Sequence, residues 1–430
     1  MRVAVGVEGH EVLFRLELLP GELPRGHGQF HMEVIFGVPE FRVRLPMAPG
    51  DLHPDLVALT ALTVVRPWSH ELRMVGLAVS QKFAGAVHQA FGIEVGPVDP
   101  ALTPRRAIGR PAISYSGGPD SMAAESLVGP GIPLIHMVRI PHRRVPYRTA
   151  RHRGDVHRAL VEHALAAGEE VHFFESDLEF VVVRPHPTFP QWPSILVGPI
   201  LLADLLQLAS ITYGRTQNGM YLDEGRRFNP AADSELAWVE VFAAAGLDLL
   251  YPTAGLSEAS TLRLASRHRL GDLSRSCMLG DHRGPCLTCR KCALKELLRA
   301  AISGAPLPFE TDRRLGASPS VVEYLETPPY YHQYLLEYGL PRVPGIEATV
   351  FGLAARHLRS TVEETAWMDR YYPPALDLLP GPLANQVESR LLEEGIEVMT
   401  ERDIELFESW HPGRALRADR QPQPAALDPS

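Results

Sequence analysis

Residues 112–126, "AISYSGGPDSMAAES", decide how this chain is read. A short apolar run ends at Tyr115, two glycines follow at Gly117 and Gly118, and a segment with helical spacing opens at Asp120 and Ser121. Paired glycines let a chain turn tightly and bare its N–H groups, and the first turn of a helix carries partial positive charge. An anion fits such a turn. A phosphate can lie against the loop donors and the orphan N–H groups of the helix, with the hydroxyls of Ser116 and Ser121 adding hydrogen bonds. Asp120 would repel a bare phosphate, so it reads either as a ligand to Mg²⁺ bridging phosphate oxygens or as a helix cap. An ordinary strand–turn–helix with a capping Asp is the alternative that two glycines alone leave open. No lysine follows the loop, so the Gly-x-x-x-x-Gly-Lys-Ser/Thr pattern of common nucleotide triphosphatases is excluded.

Outward from this loop, strands and helices alternate from Pro111 to about Gly304. "AISYS", "PLIHMVRI" and "EVHFFES" read as buried strands, and "DSMAAESLV" and "TARHRGDVHRALVEHALAAG" as helices. That rhythm predicts an α/β core with a doubly wound parallel sheet over residues 111–304. Residues 1–105 read as a separate α+β domain. There "VAVGVEGHEVLFRLELL" and "QFHMEVIFGVPEFRVRL" alternate like a strand pair, and "PDLVALTALTVVRPW" and "KFAGAVHQAFG" have helical spacing. "VGPVDPALTPRRAIGRP" is rich in turn formers and reads as a linker. Residues 305–414 form a mostly helical region, and residues 415–430 are too polar and Pro-rich to pack, which predicts a disordered tail. A chain of 430 residues that is 45% hydrophobic accommodates two or three such domains with sizeable cores.

A net charge of -9 argues against general affinity for nucleic acid or anionic membrane. Almost all positive charge is arginine, the lysines being Lys82, Lys291 and Lys295. The N-terminus alternates like a strand and lacks the pattern of a signal peptide, so the expected location is cytoplasmic. "ILVGPILLADLLQLASI", broken by Pro199, Asp204 and Gln207, is too short a clean run for a membrane span and reads as a buried core helix. All four cysteines fall in one window: Cys277, then Cys286 after eight residues, then Cys289 and Cys292 after two each. Four thiolates at that spacing suit a closed, structural Zn²⁺ site; two disulfides or an iron–sulfur cluster are the alternatives.

Ser-Gly-Gly-x-Asp-Ser between a strand and a helix resembles the pyrophosphate-binding loop of the PP-loop ATP pyrophosphatase superfamily. Paired with Cys-x8-Cys-x2-Cys-x2-Cys downstream, it resembles the 7-cyano-7-deazaguanine synthase branch. "YPTAGLSEASTLRLASRHRLGDLSRSCM" is similar to the segment leading into that family's first zinc cysteine. The resemblance covers about residues 111–300. It implies an adenine nucleotide alpha hydrolase-like fold and a C–N ligase that cleaves ATP between its α and β phosphates and adenylates a carboxylate. Ammonia or another amine then forms an amide, or a nitrile if a second ATP is spent. On this resemblance Ser116, Gly117, Gly118 and Ser121 hold the pyrophosphate, Asp120 holds Mg²⁺, and Asp120 and Ser121 are the catalytic pair. The family's Asp-Tyr-Ser-Gly-Tyr-Pro-Asp-Cys motif is missing where "YGRTQNGMYLDEGRRFNPAADS" stands. A family lysine is also absent, since Leu256, Ser257 and Glu258 occupy its segment. ATP activation therefore carries over and the identity of the acid, small molecule or macromolecule, does not.

Residues 139–158, "RIPHRRVPYRTARHRGDVHR", hold seven arginines and three histidines. Their first part, with Arg139, His142, Arg143 and Arg144, follows the second strand, at the sheet edge where ligands of doubly wound folds sit, so Arg139 and Arg143 are expected to meet ATP phosphates or an acidic substrate. Arg148, Arg151, Arg153 and Arg158 read as a solvated helix face; were the whole patch functional, a polynucleotide or acidic protein would become a partner. Arg215, Thr216 and Gln217 occupy a polar loop between Gly214 and Gly219 and are candidate substrate contacts. A homodimer is compatible with all of this. The competing functions are a PP-loop tRNA sulfurtransferase with an iron–sulfur cluster and a non-catalytic nucleotide-binding interaction protein.

Overall fold

A computed structural model describes residues 1–28, 32–145, 154–184, 186–222, 225, 227–230, 233–271, 277, 279–280 and 284–415. The tail expected to be disordered, from residue 416 on, lies outside the described residues, as do Arg148, Arg151 and Arg153. No helix among the described residues is long and apolar enough to cross a membrane.

The architecture is α/β, built on one mixed, mostly parallel sheet of ten strands. Five neighbours run parallel across it: Asp248–Leu250, Leu208–Tyr213, Arg110–Tyr115, Leu134–Arg139 and Val171–Ser176. The Arg110–Tyr115 strand comes first in the chain yet stands in the middle. The next two strands in the chain are laid to one side of it and the last two to the other, so the direction of winding reverses beside it. Ala112, Ile113, Leu134, Ile135, Phe174 and Ile211 are all buried, as the near-continuous apolar runs of a parallel sheet require. Pro111, which cannot donate to a ladder, sits at a register shift at the start of its strand.

The boundary expected near residue 105 does not interrupt this sheet. Strand Glu40–Arg44 pairs antiparallel with Val171–Ser176, Glu175 opposite Arg44. It is followed outward by Glu11–Glu17, Arg2–Glu8, Glu71–Val75 and Glu94–Gly96. Val12, Phe14 and Leu16 face the core from alternate positions, and Phe14 stacks on Phe41 across the ladder at 4.6 Å. The second alternating run is two strands rather than one. It breaks at Gly37, where an added Cβ would lie 3.0 Å from Phe180 O, and Glu33–Phe36 joins Arg25–His27 and Val182–Arg184 in a separate three-stranded sheet.

The apolar segment expected to be a core helix is shorter than its length suggests: Val197–Leu201 is helical, the chain then turns, and Leu208–Tyr213 is a strand. Arg105, in the expected linker, explains the turn. Its guanidinium pairs with Asp204 at 2.6 Å and donates to the carbonyls of Ala203 (3.2 Å), Leu208 (2.8 Å) and Gly246. One side chain thus satisfies carbonyls where the chain enters two adjacent strands, and the linker is a clasp.

The described residues cluster into two compact units: Met1–Gly117, Gly129–Tyr213 and Asp233–Tyr251 form the first, and Gly118–Val128, Gly214–Ala232 and Pro252–Ser430 the second. The first holds the sheets. The second is mostly helical: Pro119–Val128 packs on Glu258–Arg267 and Gly381–Glu393, and Arg290–Ser303 packs on Glu258–Arg267 and Gln333–Gly339. Buried Glu125 fastens the first of these pairs, accepting from Arg269 at 2.8 Å with His268 at 3.3 Å. Burial alone would raise its carboxyl, but those two partners hold it below the ordinary glutamate range.

Replacing Arg105 by Ala removes the cation paired with Asp204 and one donor from each of three carbonyls, so Arg105→Ala is expected to cost about 3 kcal/mol of stability, read as a lowered urea midpoint.

Candidate functional site

In the first unit, the carboxyl end of the Arg110–Tyr115 strand is braced from below. Tyr115 O lies 2.9 Å from His136 Nδ1, and His136 Nε2 lies 3.0 Å from His157 Nδ1. Burial pushes the His136 pKa down to about 4, so the ring is neutral; since a carbonyl only accepts, its proton sits on Nδ1 and His157 donates to Nε2. Beyond Tyr115, Ser116 is exposed and Gly117 takes the left-handed conformation (φ 73°). A Cβ there would meet Leu160 at 3.0 Å, so this turn needs glycine for both conformation and space.

In the second unit the helix begins at Pro119, one residue before the expected start, with proline in the first turn where its missing N–H costs nothing. Ser121 is buried and its hydroxyl donates to Gly118 O at 2.9 Å, closing the turn on itself. Asp120 does not cap the helix in the expected way. Its Oδ1 accepts from Thr261 Oγ1 at 2.7 Å, across to the Glu258–Arg267 helix. Gly214 packs against the same first turn so closely that a Cβ would lie 2.5 Å from Asp120 C and O.

Ser257 caps the Glu258–Arg267 helix, accepting from Ala259 N and Ser260 N at 3.1 Å. Glu258 and Thr261, three apart, share a face. The Glu258 carboxylate is sealed although the residue as a whole is only half-buried. Its Oε1 accepts from Tyr334 OH at 2.8 Å and Thr216 Oγ1 at 3.3 Å, while Oε2 has no hydrogen-bond partner among the described residues. Burial first, and then the charge of Asp120, push the Glu258 carboxyl up to about 7, against the opposing influence of Tyr334 and Lys295. Tyr334, whose single proton goes to Glu258, takes a hydrogen bond from His332 Nδ1 at 3.2 Å. Burial and the charges of Arg290, Lys291 and Lys295 push His332 down to about 3, so it is neutral.

The other candidates divide. Thr216 reaches Glu258, as above. Gln217 lies in a short helix, Gln217–Tyr221, rather than a loop; its backbone N donates to Leu256 O (2.8 Å) and its Nε2 to Gly255 O (2.6 Å). Arg215 folds onto Gly219 O at 3.0 Å, where only glycine leaves room for the guanidinium. Arg139 and Arg143 are engaged within the first unit: Arg139 by Glu179 (3.5 Å) and the Phe189 ring (4.7 Å), Arg143 by Glu11 (3.1 Å). Arg144 and Arg158 likewise pair with Glu40 and Glu175, so the described part of the arginine-rich segment carries its own counter-charges.

Cys277, Cys286, Cys289 and Cys292 come together in the second unit with all ligand atoms within 4.8 Å of one another. Cys277 and Cys289 are 4.0 Å apart and Cys286 and Cys292 3.7 Å, far beyond the ~2.05 Å of a disulfide. A tetrahedral ion with metal–sulfur bonds of ~2.3 Å needs sulfurs about 3.8 Å apart, so the four could hold a metal such as zinc. Cys289 caps the Arg290–Ser303 helix, Ser318 and Ser320 donate to Thr288 O, and Arg314 donates to Cys286 O at 3.1 Å.

Residues 237–411 match the model of a family described as a family of unknown function (DUF6395). No curated protein and no solved structure matched the chain. The matched region contains Glu258, Thr261, the four cysteines, Lys295 and Tyr334, and stops short of the glycine loop.

Two outcomes follow from this geometry. The purified chain should carry one zinc per molecule, and chelation or Cys292→Ser should lower the melting temperature by about 5 °C or more. The carboxyl of Glu258, raised in the folded state, makes stability fall as pH rises from about 4 towards 7, where the unfolded chain has lost a proton that the folded one keeps. Glu258→Gln should therefore match the parent near pH 4.5 and exceed it by roughly 1–3 kcal/mol at pH 8.

Proposed function

We propose that this chain is an ATP- and Mg²⁺-dependent enzyme of the PP-loop ATP pyrophosphatase type, a divergent relative of the 7-cyano-7-deazaguanine synthases. It adenylates a substrate carboxylate, releases pyrophosphate and joins the activated acid to ammonia or an amine. One observation carries the reading: "SGGPDS" leaves the sheet from the strand beside which the winding reverses, and ligands of open α/β sheets bind outside the carboxyl ends of strands at that reversal.

The residues fit the group they would hold. The left-handed turn at Gly117 leads into a ten-residue helix whose first turn carries orphan N–H groups. Ser116 is exposed at the turn, and Ser121 keeps the turn in shape through Gly118. Asp120, its rotamer set by Thr261, would hold Mg²⁺, which when bound neutralises charge on phosphate oxygens. Donors fixed before the reaction stabilise the charge that builds on the departing pyrophosphate while the carboxylate attacks the α-phosphorus. Zinc on the four cysteines would be structural, since four thiolates leave no open coordination position. The sulfur spacing supports a single ion over an iron–sulfur cluster, whose several irons need wider-set sulfurs, and so favours this reading over sulfur transfer to tRNA.

The test is ATP-dependent pyrophosphate release by zinc-loaded protein supplied with Mg²⁺, an ammonium salt and a panel of carboxylic acids. Asp120→Ala is expected to lower turnover about 100-fold or more while zinc content and melting temperature hold. Undiminished turnover in that variant contradicts the role of Asp120. Nucleotide binding without pyrophosphate release from any acid favours a non-catalytic nucleotide-binding protein.

A further inference from the structure

Within the first unit, the strand Val171–Ser176 is partnered along only part of one edge. On that edge it pairs with Glu40–Arg44 at two positions, Glu175 opposite Arg44 and Ser176 opposite Val43. On its other edge Glu170 O and Ser176 O accept from Leu134 N and Ile140 N. Backbone groups alternate in direction along a strand, so Val171, Phe173 and Glu175 turn theirs towards Glu40–Arg44. That strand answers from its even-numbered residues. Arg42 N donates to Asp177 and Arg42 O accepts from Ser176, while Leu45 N turns away to His10 O. After Glu175 with Arg44, the next hydrogen-bonded pair would therefore be Phe173 with Pro46. Pro46 has no N–H to give, and the ladder stops there.

Where the two strands part, a cavity of about 300 Å³ opens, lined by Pro46, Phe173, His10, Arg44, Arg158 and Glu175 among others. Phe173 is 39% exposed. Two guanidiniums share one carboxylate: Arg158 lies 3.3 Å and Arg44 3.7 Å from Glu175, and their side chains are 62% and 64% exposed. Glu11, across the ladder from Arg44, is engaged by Arg143 at 3.1 Å. One carboxylate does not neutralise two guanidiniums, so the rim of the notch is positive. A strand edge with unpaired backbone groups is a template for another strand, and the rim selects its charge. We propose that this notch takes an extended acidic segment of another protein, added as a short strand beside Phe173 with an acidic side chain opposite it. Directly opposed residues of an antiparallel pair share a face. A glutamate or aspartate opposite Phe173 therefore stands on the side of Glu175, beside Arg44 and Arg158, while its backbone exchanges hydrogen bonds with Phe173. A basic segment would meet two guanidiniums, and a free inorganic anion would leave the backbone groups of Phe173 unpaired.

The experiment is fluorescence anisotropy of a labelled octapeptide of alternating glutamate and valine, titrated with the zinc-loaded full chain without nucleotide. The peptide should bind with a dissociation constant of about 100 μM or tighter, and its counterpart with lysine for glutamate roughly tenfold more weakly or worse. N-methylation of the glutamates keeps every charge but removes the N–H groups that would face Phe173, and should also weaken binding roughly tenfold. N-methylation of the valines, which face the other way, should leave binding unchanged. Arg44→Glu and Arg158→Glu, both at exposed positions, should each weaken binding about fivefold or more at an unchanged melting temperature, and the peptide arms decide the matter should either variant misfold. The Phe173 amide should exchange more slowly with the peptide bound. Equal binding of the lysine or N-methylglutamate peptide, or binding that survives both charge reversals, overturns the proposal. So does the lack of binding at about 1 mM peptide, which leaves Pro46 and the arginines as guards of a bare edge. Displacement by an equal concentration of inorganic pyrophosphate makes the notch an anion site, displacement by a single-stranded oligonucleotide makes it a nucleic-acid site, and each contradicts strand addition.

Discussion

The turn at Gly117 is the constraint on which the site depends. The strand before it is the first laid down in the parallel block and stands at its centre, with later strands added to either side. A chain leaving that strand must turn within a few residues to open a helix at Pro119, and it does so through a left-handed residue where a β-carbon would be strained and would crowd Leu160. The same tightness makes Gly214 necessary, because its backbone lies against the first turn of that helix. Glycines thus define the shape, and the charged groups are placed around it.

Those charged groups are arranged by hydrogen bonds between helices. Thr261 reaches Asp120, Tyr334 and Thr216 reach Glu258, and His332 stands behind Tyr334. The three hydroxyls reach only one oxygen of each carboxylate, and of the two oxygens they miss, Glu258 Oε2 is buried. The Arg290–Ser303 helix, capped by one cysteine of the metal-binding set and carrying another, packs on both the Glu258–Arg267 and Gln333–Gly339 helices. A metal held by the cysteines would therefore act on the acidic patch only through the placement of this helix.

Local patterns in the sequence were legible where period and chemistry coincide. The apolar runs ending at Tyr115, Arg139 and Ser176 are strands, and the four cysteines meet as their spacing suggests. What escaped were partnerships between distant segments. Nothing in the alternation of residues 11–17 and 40–44 states that Arg44 pairs with Glu175 and extends one sheet, and nothing in a Pro-rich linker states that Arg105 binds four groups. Glu258 stood out only as a departure from a resembling motif. Its carboxylate is bonded by Tyr334, seventy-six positions away, a partnership no local pattern announces. The i, i+3 spacing of Glu258 and Thr261 was the one local sign that the two share a face. Arg139 and Arg143 were read from their place at the sheet edge, and acidic partners, Glu179 from a short helical turn and Glu11 from another strand, occupy both.

The central claim is that the turn after Tyr115 grips the two phosphates that ATP loses together, and hydrogen exchange tests it most directly. With magnesium pyrophosphate, and again with Mg·ATP, the peptide spanning residues 112–126 should exchange more slowly than in the free chain, because its amides become donors to the ligand. Unchanged exchange across that peptide under saturating ligand, or protection confined to other segments, would contradict the account.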